Sequence, residues 1–351
     1  MERALALAAR GLYTTDPNPR VGCVVANSES VLGEGWHVRA GEPHAEVLAL
    51  RAAGARARGA SVYVTLEPCS HTGRTPPCAD ALIAAGVSRV ICCSRDPNPR
   101  VAGAGIERLK TAGIEVSIGG PAREARELNI GFFSRFERGR PYVRLKMAMS
   151  LDGRTAPAAG GPVWISGESS RADVQTWRAR SSAVLTGAGT VRSDDPRLDV
   201  RLAYGPWVRQ PLRVVLDTML RCAPESKIFH GGGALVFAAP EARASSCDGK
   251  VERVPRGAGG LDLQAVIRRL TELEVNELLI ESGPTLAGAF FCAQLIDELV
   301  LYVAPRLLGE KAAPLMHLKD PGAPAFLSQF EFRDMQRFED DVRLILNLRK
   351  A

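Results

Sequence analysis

The chain lacks any apolar run that approaches the about 20 residues a membrane-spanning helix requires, so we expect no membrane partner. It also lacks a dense tract of lysine or arginine, and aromatic residues make up only 6% of it, which disfavours a nucleic-acid-binding surface of interleaved basic and aromatic side chains. The amino terminus resembles an amphipathic helix and shows no export signal. We therefore expect a soluble, cytoplasmic protein with no nucleic-acid partner. The formal net charge of +6 suits an acidic ligand, and a phosphorylated small molecule qualifies.

Cysteine is sparse, with eight residues spread over a chain of 351. In a protein that is not exported, metal binding or simple burial explains scattered cysteines better than a disulfide framework does. Six of them lie in apolar runs or loops and are interpreted as structural: Cys23, Cys92, Cys93, Cys222, Cys247 and Cys292. The remaining two, Cys69 and Cys78, lie in a segment whose other residues indicate chemistry.

Two segments in the first quarter of the chain combine into a metal site. One is Pro43-His44-Ala45-Glu46, and the other runs from Thr65 to Cys78 as TLEPCSHTGRTPPC. Zinc-dependent nucleobase deaminases carry H-x-E followed by P-C-x-x-C, with a glutamate that does not bind the metal. Here His44, Cys69 and Cys78 would hold zinc with its fourth position open to water, and Glu46 would be the catalytic carboxylate that moves protons. The eight residues between the cysteines depart from the general signature, which has two.

This interpretation has one difficulty and two alternatives. Residues i and i+2 do not share a face of a regular helix, so His44 and Glu46 are expected in its first turn. His44 could instead be a helix-start histidine with no metal. A closed structural zinc with His37 or His71 as the fourth ligand is also possible, but it leaves Glu46 without a role.

The length favours two domains, and the charged, glycine- and proline-containing stretch 137–141 is the predicted boundary between domains 1–139 and 142–351. Both halves alternate strand and helix patterns, which indicates layered α/β folds. Strands are predicted at 21–25, up to 36–37, 61–66, 89–94, 142–149, 183–187, 212–217, 234–238, 277–281, 299–304 and 342–348. Helices are predicted at 2–11, from Pro43 to Leu50, from Cys78, and at 121–136, 168–180, 262–273 and 284–295.

The second half carries two glycine-bearing turns after predicted strands, Leu185–Thr190 and Glu281–Gly288. A strand that ends in glycine and leads into a helix offers backbone N–H groups to a phosphate. The first turn departs from the dinucleotide fingerprint G-x-G-x-x-G, and glycine in such turns often serves packing alone. Polar clusters at 146–154 and 194–196 also lie at predicted strand ends, where α/β sheets bind ligands. Turn formation is the simpler explanation for Asp195-Pro196.

Over almost its whole length the chain resembles the bifunctional deaminase/reductase family of riboflavin biosynthesis. The resemblance is carried by His44-Ala45-Glu46, by Pro68–Cys78 with its eight-residue cysteine spacing, by Asp96-Pro97-Asn98-Pro99, and by Ser150–Thr155, Ser193–Pro196 and Glu281–Gly288. It implies a cytidine-deaminase-like three-layer domain followed by a dihydrofolate-reductase-like α/β domain. The implied reactions are zinc-dependent deamination of 2,5-diamino-6-(5-phosphoribosylamino)pyrimidin-4(3H)-one and NADPH-dependent reduction of the ribosyl chain to a ribityl chain.

The resemblance also implies residues of the reductase half and a homo-oligomeric assembly. Asp194 is expected to be both a catalytic group and a cofactor contact. The other expected cofactor contacts are Ala148, Trp164, Thr190, Thr218, Gly283, Pro284, Thr285, Leu286, Ala287, Gly288 and Ala289. The expected substrate contacts are Pro162, Arg178, Leu198, Arg201 and Glu281, where the arginines suit a phosphate. Pro162 departs from relatives that present a hydroxyl there.

The principal alternative is a zinc deaminase acting on nucleic-acid bases, with a second half that only binds RNA. It requires a basic, aromatic-interleaved face in the carboxyl-terminal half. That half has few aromatic residues and scattered arginines, which disfavours the alternative.

Overall fold

The computed structural model describes residues 1–72, 76–158, 164–201, 208–243, 249–257, 259–318 and 330–349. The chain folds into two compact units, the first formed by Met1–Arg140 with Gly205–Arg209 and the second by Pro141–Tyr204 with Gln210–Ala351. Within the described ranges, every helix falls short of the length and hydrophobicity that crossing a bilayer requires.

The first unit is built on a five-stranded sheet in the order β2-β1-β3-β4-β5. Strands β1 and β2 pair antiparallel, β1 also pairs antiparallel with β3, and β3, β4 and β5 run parallel. The strands are β1 (Gly22–Ala26), β2 (Val31–Trp36), β3 (Ser61–Val64), β4 (Arg89–Cys92) and β5 (Glu115–Ile118). The helices are α1 (Glu2–Ala9), α2 (Ala45–Ala53), α3 (Cys78–Ala85), α4 (Ala104–Thr111), α5 (Ala122–Leu128) and α6 (Ile130–Arg138), with a 3₁₀ turn at Gly54–Ala57.

Alternation along the strands explains why this sheet is covered on both faces. In β1, Cys23 and Val25 pack into a core with residues of α2, α3 and α4, whereas Val24 points the opposite way and packs with Ala4 and Leu7 of α1. The parallel strands β3 and β4 end at the same edge of the sheet, since parallel carboxyl ends coincide. The segments that follow them therefore begin side by side.

The second unit contains a nine-stranded sheet in the order β11-β10-β9-β8-β14-β6-β15-β18-β17. Its neighbours are parallel from β11 to β15, and β18 and β17 are added antiparallel. The strands are β6 (Tyr142–Ser150), β7 (Arg154–Ala156), β8 (Ala183–Gly187), β9 (Leu212–Leu216), β10 (Ala234–Ala238), β11 (Lys250–Arg253), β12 (Arg256–Gly257), β13 (Gly260–Leu261), β14 (Glu277–Glu281), β15 (Glu298–Ala304), β16 (Ala313–Pro314), β17 (Phe330–Phe338) and β18 (Asp341–Leu348). The helices are α7 (Glu168–Arg180), α8 (Ala188–Asp194), α9 (Leu263–Glu272) and α10 (Pro284–Cys292), with a 3₁₀ turn at Lys227–Phe229.

Both faces of the central part of this sheet are also buried. Leu145 of β6 and Leu278 of β14 belong to a core that includes α9 and α10. Leu279 of β14 and Tyr302 of β15 face the other core, which includes Trp177 of α7. This two-sided burial explains the near-continuous apolar runs of the parallel strands.

Three sequence expectations need correction. The helix expected from Pro43 begins at Ala45, with His44 as its N-cap. The single helix expected over 121–136 is two helices that meet at Asn129. Of the cysteines interpreted as structural, Cys292 is exposed, Cys247 lies outside the described residues, and the other four are buried.

Candidate active sites

The first unit brings His44, Cys69 and Cys78 together, with one ligand atom of each within 4.8 Å of the others. His44 precedes the first residue of α2, Cys78 is the first residue of α3, and Cys69 lies in the segment after β3. His44 Nδ1 lies 3.2 Å from Cys78 Sγ and 3.6 Å from Cys69 Sγ. One imidazole and two thiols at these separations fit a single zinc ion, because nitrogen and sulfur are the donors that zinc prefers.

The electrostatics of the cluster favour the metal-binding form of Cys69. The hydrogen bond with the Cys78 thiol and the nearby His44 lower the pKa of Cys69. The same sharing of a proton, together with burial, raises the pKa of Cys78. The backbone N–H of Cys78, at the start of α3, also points at Cys69 Sγ, 3.3 Å away. A helix amino terminus stabilises negative charge, so the structure favours a thiolate here.

Glu46 lies beside this cluster and is only 3% exposed. Burial raises the pKa of its carboxyl group, while the charge of His44 acts in the opposite direction. The problem posed by the i, i+2 spacing is resolved by the backbone of His44, which is extended at φ −71° and ψ 163°. His44 therefore lies outside the helix, and Glu46 can share its surroundings from the first turn.

Neither His37 nor His71 belongs to the cluster among the described residues. His37 Nε2 lies 3.0 Å from Asn18 Nδ2, and His37 Nδ1 lies 3.3 Å from the Pro43 carbonyl oxygen. Both ring nitrogens of His37 therefore already have hydrogen-bond partners. This arrangement favours a three-ligand site with an open position over the closed structural alternative. Residues 73–75 of the cysteine segment lie outside the described part of the chain.

In the second unit, two helices begin side by side where β8 and β14 end. Gly187 is the N-cap of α8 and Gly283 is the N-cap of α10, and neither helix has a side-chain cap. Thr190 Oγ1 accepts a hydrogen bond from the Gly283 N–H at 3.2 Å, which links the two turns. Within the described residues, the buried hydroxyl oxygens of Thr186 and Ser282 have no hydrogen-bond partner. Open helix starts and unsatisfied hydroxyls fit a phosphate-bearing cofactor.

Most of the expected cofactor residues lie in or just after strands of the nine-stranded sheet. Ala148 is in β6, Thr190 in α8, Thr218 just after β9, and residues 283–289 form the start of α10. Trp164 is 69% exposed, with the Arg171 guanidinium 5.1 Å from its ring centroid. Asp194, expected to be catalytic, is the last residue of α8 and is exposed.

Two of the expected substrate contacts pair with each other. Arg178 binds Glu281 through two contacts, Nε to Oε1 at 2.5 Å and Nη2 to Oε2 at 2.8 Å. Burial alone would raise the pKa of Glu281, but the Arg178 guanidinium lowers it. Arg201 is half-exposed and lies 3.1 Å from Asp199, and Leu198 is buried with a φ of 53°. Pro162 lies outside the described residues.

Sequence reasoning named Lys146 only as the first residue of the polar cluster at 146–154; the structure places it in β6, where it adds a third charge to the Arg178–Glu281 pair. Burial lowers the pKa of its ammonium group, and the Glu281 carboxylate opposes that effect. Lys146 makes no hydrogen bond or ion pair in the described part of the chain, although its Nζ lies 5.7 Å from the Tyr302 ring centroid. The available signal in the sequence was a lysine within the mostly apolar predicted strand 142–149.

The two halves match different family models. Residues 1–94 match the cytidine and deoxycytidylate deaminase zinc-binding region, and residues 141–344 match the RibD C-terminal domain. The riboflavin biosynthesis protein RibD of Escherichia coli is 48% identical, with 99% of this chain and 98% of that protein covered. RibD of Haemophilus influenzae is 45% identical, covering 98% of this chain and 95% of that protein.

Solved structures give the same result. Acinetobacter baumannii RibD superposes with a TM-score of 0.93 at 44% identity and covers 99% of this chain and 98% of that one. A Thermotoga maritima diaminohydroxyphosphoribosylaminopyrimidine deaminase/5-amino-6-(5-phosphoribosylamino)uracil reductase superposes with a TM-score of 0.87 at 32% identity, covering 99% of this chain and 97% of that one.

Fold, metal cluster and family matches together define a two-part enzyme in which a zinc-binding deaminase unit precedes a reductase unit. The chain belongs to the RibD family, the bifunctional deaminase/reductases of riboflavin biosynthesis, which use zinc in the deaminase half and NADPH in the reductase half. The fold class, the family resemblance, the two activities and the two cofactors predicted from the sequence are thereby confirmed.

Proposed function

We propose that residues 1–139 deaminate 2,5-diamino-6-(5-phosphoribosylamino)pyrimidin-4(3H)-one at its 2-amino group. Residues 142–351 then reduce the ribosyl chain of the product with NADPH, giving 5-amino-6-(5-phosphoribitylamino)uracil. The observation that carries the first step is the meeting of His44, Cys69 and Cys78 within 4.8 Å beside a buried Glu46. The name of the Thermotoga maritima relative supports the substrate.

In the deaminase half, His44, Cys69 and Cys78 are the zinc ligands of this proposal. Zinc, when bound, acidifies a water molecule so that it can attack the ring carbon at neutral pH. Glu46 would take up the proton that the water loses and pass it to the ring nitrogen, and it would then carry the proton of the newly added hydroxyl group to the departing amine. Its burial suits this task, because a carboxyl group with a raised pKa holds the proton between the two transfers.

In the reductase half, the start of α10 and residues Ala148, Trp164, Thr190, Asp194 and Thr218 hold NADPH, which supplies the hydride. The first turn of α10, which has no side-chain cap, and the unsatisfied hydroxyl of Ser282 support a phosphate contact at the start of this helix.

The substrate contacts proposed for this half are Pro162, Arg178, Leu198, Arg201 and Glu281. Arg201 is the arginine best placed to contact the substrate phosphate, because its side chain is 50% exposed whereas Arg178 is held by Glu281. Lys146 joins this set, since its ammonium group is buried beside Glu281 and has no protein partner within the described ranges.

Asp194 is the proposed proton-transfer group of the reduction, and Glu281 is the alternative candidate for this role. Asp194 is exposed, whereas Glu281 is buried in a charged cluster with Arg178 and Lys146. Asp194→Asn and Glu281→Gln separate the two. The variant that removes the proton donor should lower kcat for NADPH oxidation by a larger factor than it changes the KM for NADPH. A variant that changes only KM identifies a binding residue.

Purified enzyme tests the whole proposal. Zinc-loaded protein should release ammonia from the diaminopyrimidine phosphate without NADPH, and it should oxidise NADPH when the deaminated compound is supplied directly or is formed from the diaminopyrimidine phosphate. Absence of either half-reaction in folded, zinc-loaded protein would contradict the assignment of that half.

We also propose a homo-oligomer that forms through β17. This strand lies at the edge of the described sheet, and its Phe332 and Met335 are 68% and 71% exposed. A long edge strand with exposed apolar side chains is a template for pairing with another chain, here a second copy. Phe332→Glu should lower the sedimentation coefficient relative to the parent, while the charge reversal Arg337→Glu on the same strand should not. Identical sedimentation of parent and Phe332→Glu would argue against this surface.

We also propose that the protein is located in the cytoplasm. The seven cysteines in the described residues are all free thiols, as expected in a reducing compartment. Fractionation of cells that make the protein should recover it with the soluble cytoplasmic enzymes, and recovery outside that fraction would contradict this location.

A further inference from the structure

Glu67 lies two residues before Cys69, and its buried carboxylate holds backbone from two other segments. Glu67 is only 3% exposed. Oε2 accepts hydrogen bonds from the N–H groups of Asp96 at 3.2 Å and Gly103 at 3.0 Å. Oε1 accepts from Gly105 at 3.1 Å and Ile106 at 3.2 Å. One carboxylate therefore satisfies four donors, two of them inside the first turn of α4.

These contacts do what a capping residue ordinarily does. Helix α4 has Gly103 as its N-cap and no side-chain cap of its own. Its first N–H groups need an acceptor, and a negative charge at this end is favourable. Capping alone would make Glu67 a residue that only stabilises the fold. Its neighbours in the chain indicate a second role.

The backbone between Glu67 and Cys69 is packed directly against the helix that Glu67 holds. A Cβ atom added to Gly105 would lie 1.9 Å from the Pro68 carbonyl oxygen, so only glycine allows this approach. On the other side, the Cys69 carbonyl accepts a hydrogen bond from the Ala79 N–H in α3 at 3.1 Å. Cys69 is thus fixed between α4 and α3, and α3 begins with Cys78.

We propose that Glu67 is a positioning residue for Cys69. By tying the start of α4 to the segment after β3, it sets where the Cys69 thiol lies relative to His44 and Cys78. It contacts neither substrate nor metal. The inference rests on the proposed zinc role of these three residues and goes beyond it, because it assigns part of the metal affinity to a carboxylate outside the ligand set.

Glu67→Gln is the direct test, because it keeps the side-chain size and leaves only one acceptor oxygen. The amide NH₂ would then face two of the four N–H donors. Substitutions that disturb the support of metal ligands lower metal affinity by about 10–100-fold. We expect a loss of that size in zinc affinity, measured by competition with a chromophoric chelator. Ammonia release at limiting zinc should fall in parallel, while NADPH oxidation by the same protein should stay at the parent's rate.

A matched control separates positioning from simple loss of stability. Val25 of β1 is fully buried in the core of the same unit, and β1 carries neither a proposed zinc ligand nor Glu67. Val25→Ala should lower thermal stability yet keep the parent's zinc affinity. If Glu67→Gln loses stability but binds zinc as the parent does, the residue is only a cap and the inference is overturned.

Two further variants keep the test decisive. If Glu67→Gln does not fold, Glu67→Asp replaces it, since the shorter carboxylate keeps its charge but cannot reach both segments, and the same loss of zinc affinity is expected. His44→Ala tests the proposed zinc site itself. Loss of zinc in His44→Ala with normal zinc binding in the Glu67 variants refutes only the positioning role. Parent-like zinc binding in His44→Ala refutes the zinc site on which the inference rests.

Discussion

Replacing Glu46 with glutamine isolates the proton-transfer step of the deaminase half. The substitution keeps the shape of the side chain and leaves His44, Cys69 and Cys78 untouched. Glutamine cannot take a proton from water or deliver one to the departing amine. The expected result is a folded, zinc-containing protein that has lost most of its ammonia release.

The size of the loss follows from the burial of this carboxyl group. A positioned general acid–base contributes about 10²–10⁴-fold to rate, or roughly 3–5 kcal/mol of activation free energy. Glu46 is 3% exposed, so bulk water has little access to take over its task. We therefore expect the upper part of that range, a decrease of about 10³–10⁴-fold in kcat for ammonia release.

The assay compares ammonia release with two readings taken on the same preparation. Zinc content should equal the parent's, and NADPH oxidation with the deaminated substrate should be unchanged because it occurs in the other half. Glu42→Gln is the matched control, since Glu42 lies four residues earlier in a half-exposed pair with Arg39. Ammonia release by Glu46→Gln at the parent's rate would refute the proposed role.

Three other results are expected. Removing zinc with a chelator should stop ammonia release and leave NADPH oxidation intact; equal loss of both would contradict two separate sites. Burial raises the pKa of Asp96 to about 7 in the folded protein. The folded state therefore holds this proton more tightly than the unfolded chain does, and the resulting stabilisation is full below about pH 4 and is lost as pH rises to about 7. The whole loss amounts to at most about 4 kcal/mol in the free energy of unfolding. Asp96→Asn should reduce the difference in unfolding free energy between pH 5 and pH 7.5, measured by urea titration. A difference equal to the parent's would contradict this prediction. Arg144, whose side chain is 2% exposed, binds both Glu277 and Glu298, so Arg144→Leu should cost about 3–5 kcal/mol in urea unfolding. Adding Glu277→Gln and Glu298→Gln should restore part of that loss, and a cost under about 1 kcal/mol would show that the carboxylates do not need Arg144.

The metal site could be predicted from the sequence because its ligands lie in two short segments with recognisable motifs. His44 and Glu46 are two residues apart, and the prolines and glycine of the cysteine segment mark it as a loop. The exact helix start could not be predicted in the same way. Pro43 fits a first helical position, but the extended backbone of His44 delays the helix to Ala45.

The break in the helix at 121–136 depends on a contact that the sequence does not show. Asn129 Oδ1 accepts a hydrogen bond from the Arg20 N–H at 2.7 Å, and Asn129 Nδ2 donates to the Arg20 carbonyl at 2.9 Å. These partners are 109 residues apart. A tertiary contact therefore overrides a helical pattern that looks continuous along the chain.

The reductase half was harder to predict for a related reason. Its charged cluster joins Arg178 of α7 to Glu281 of β14, which are 103 positions apart. Arg178 alone resembles a solvated face charge, and only the sheet order places it against Glu281 and near Lys146. The same limitation applies to Glu67, whose four backbone partners lie 29 to 39 positions further along the chain.

X-ray absorption at the zinc edge on the purified, unchelated protein tests the central claim most directly. The structure predicts one zinc per chain with two sulfur atoms and one imidazole nitrogen from the protein, and a lighter atom from solvent in the fourth position. Absence of zinc from folded protein, or a shell made of four protein ligands, would contradict the claim.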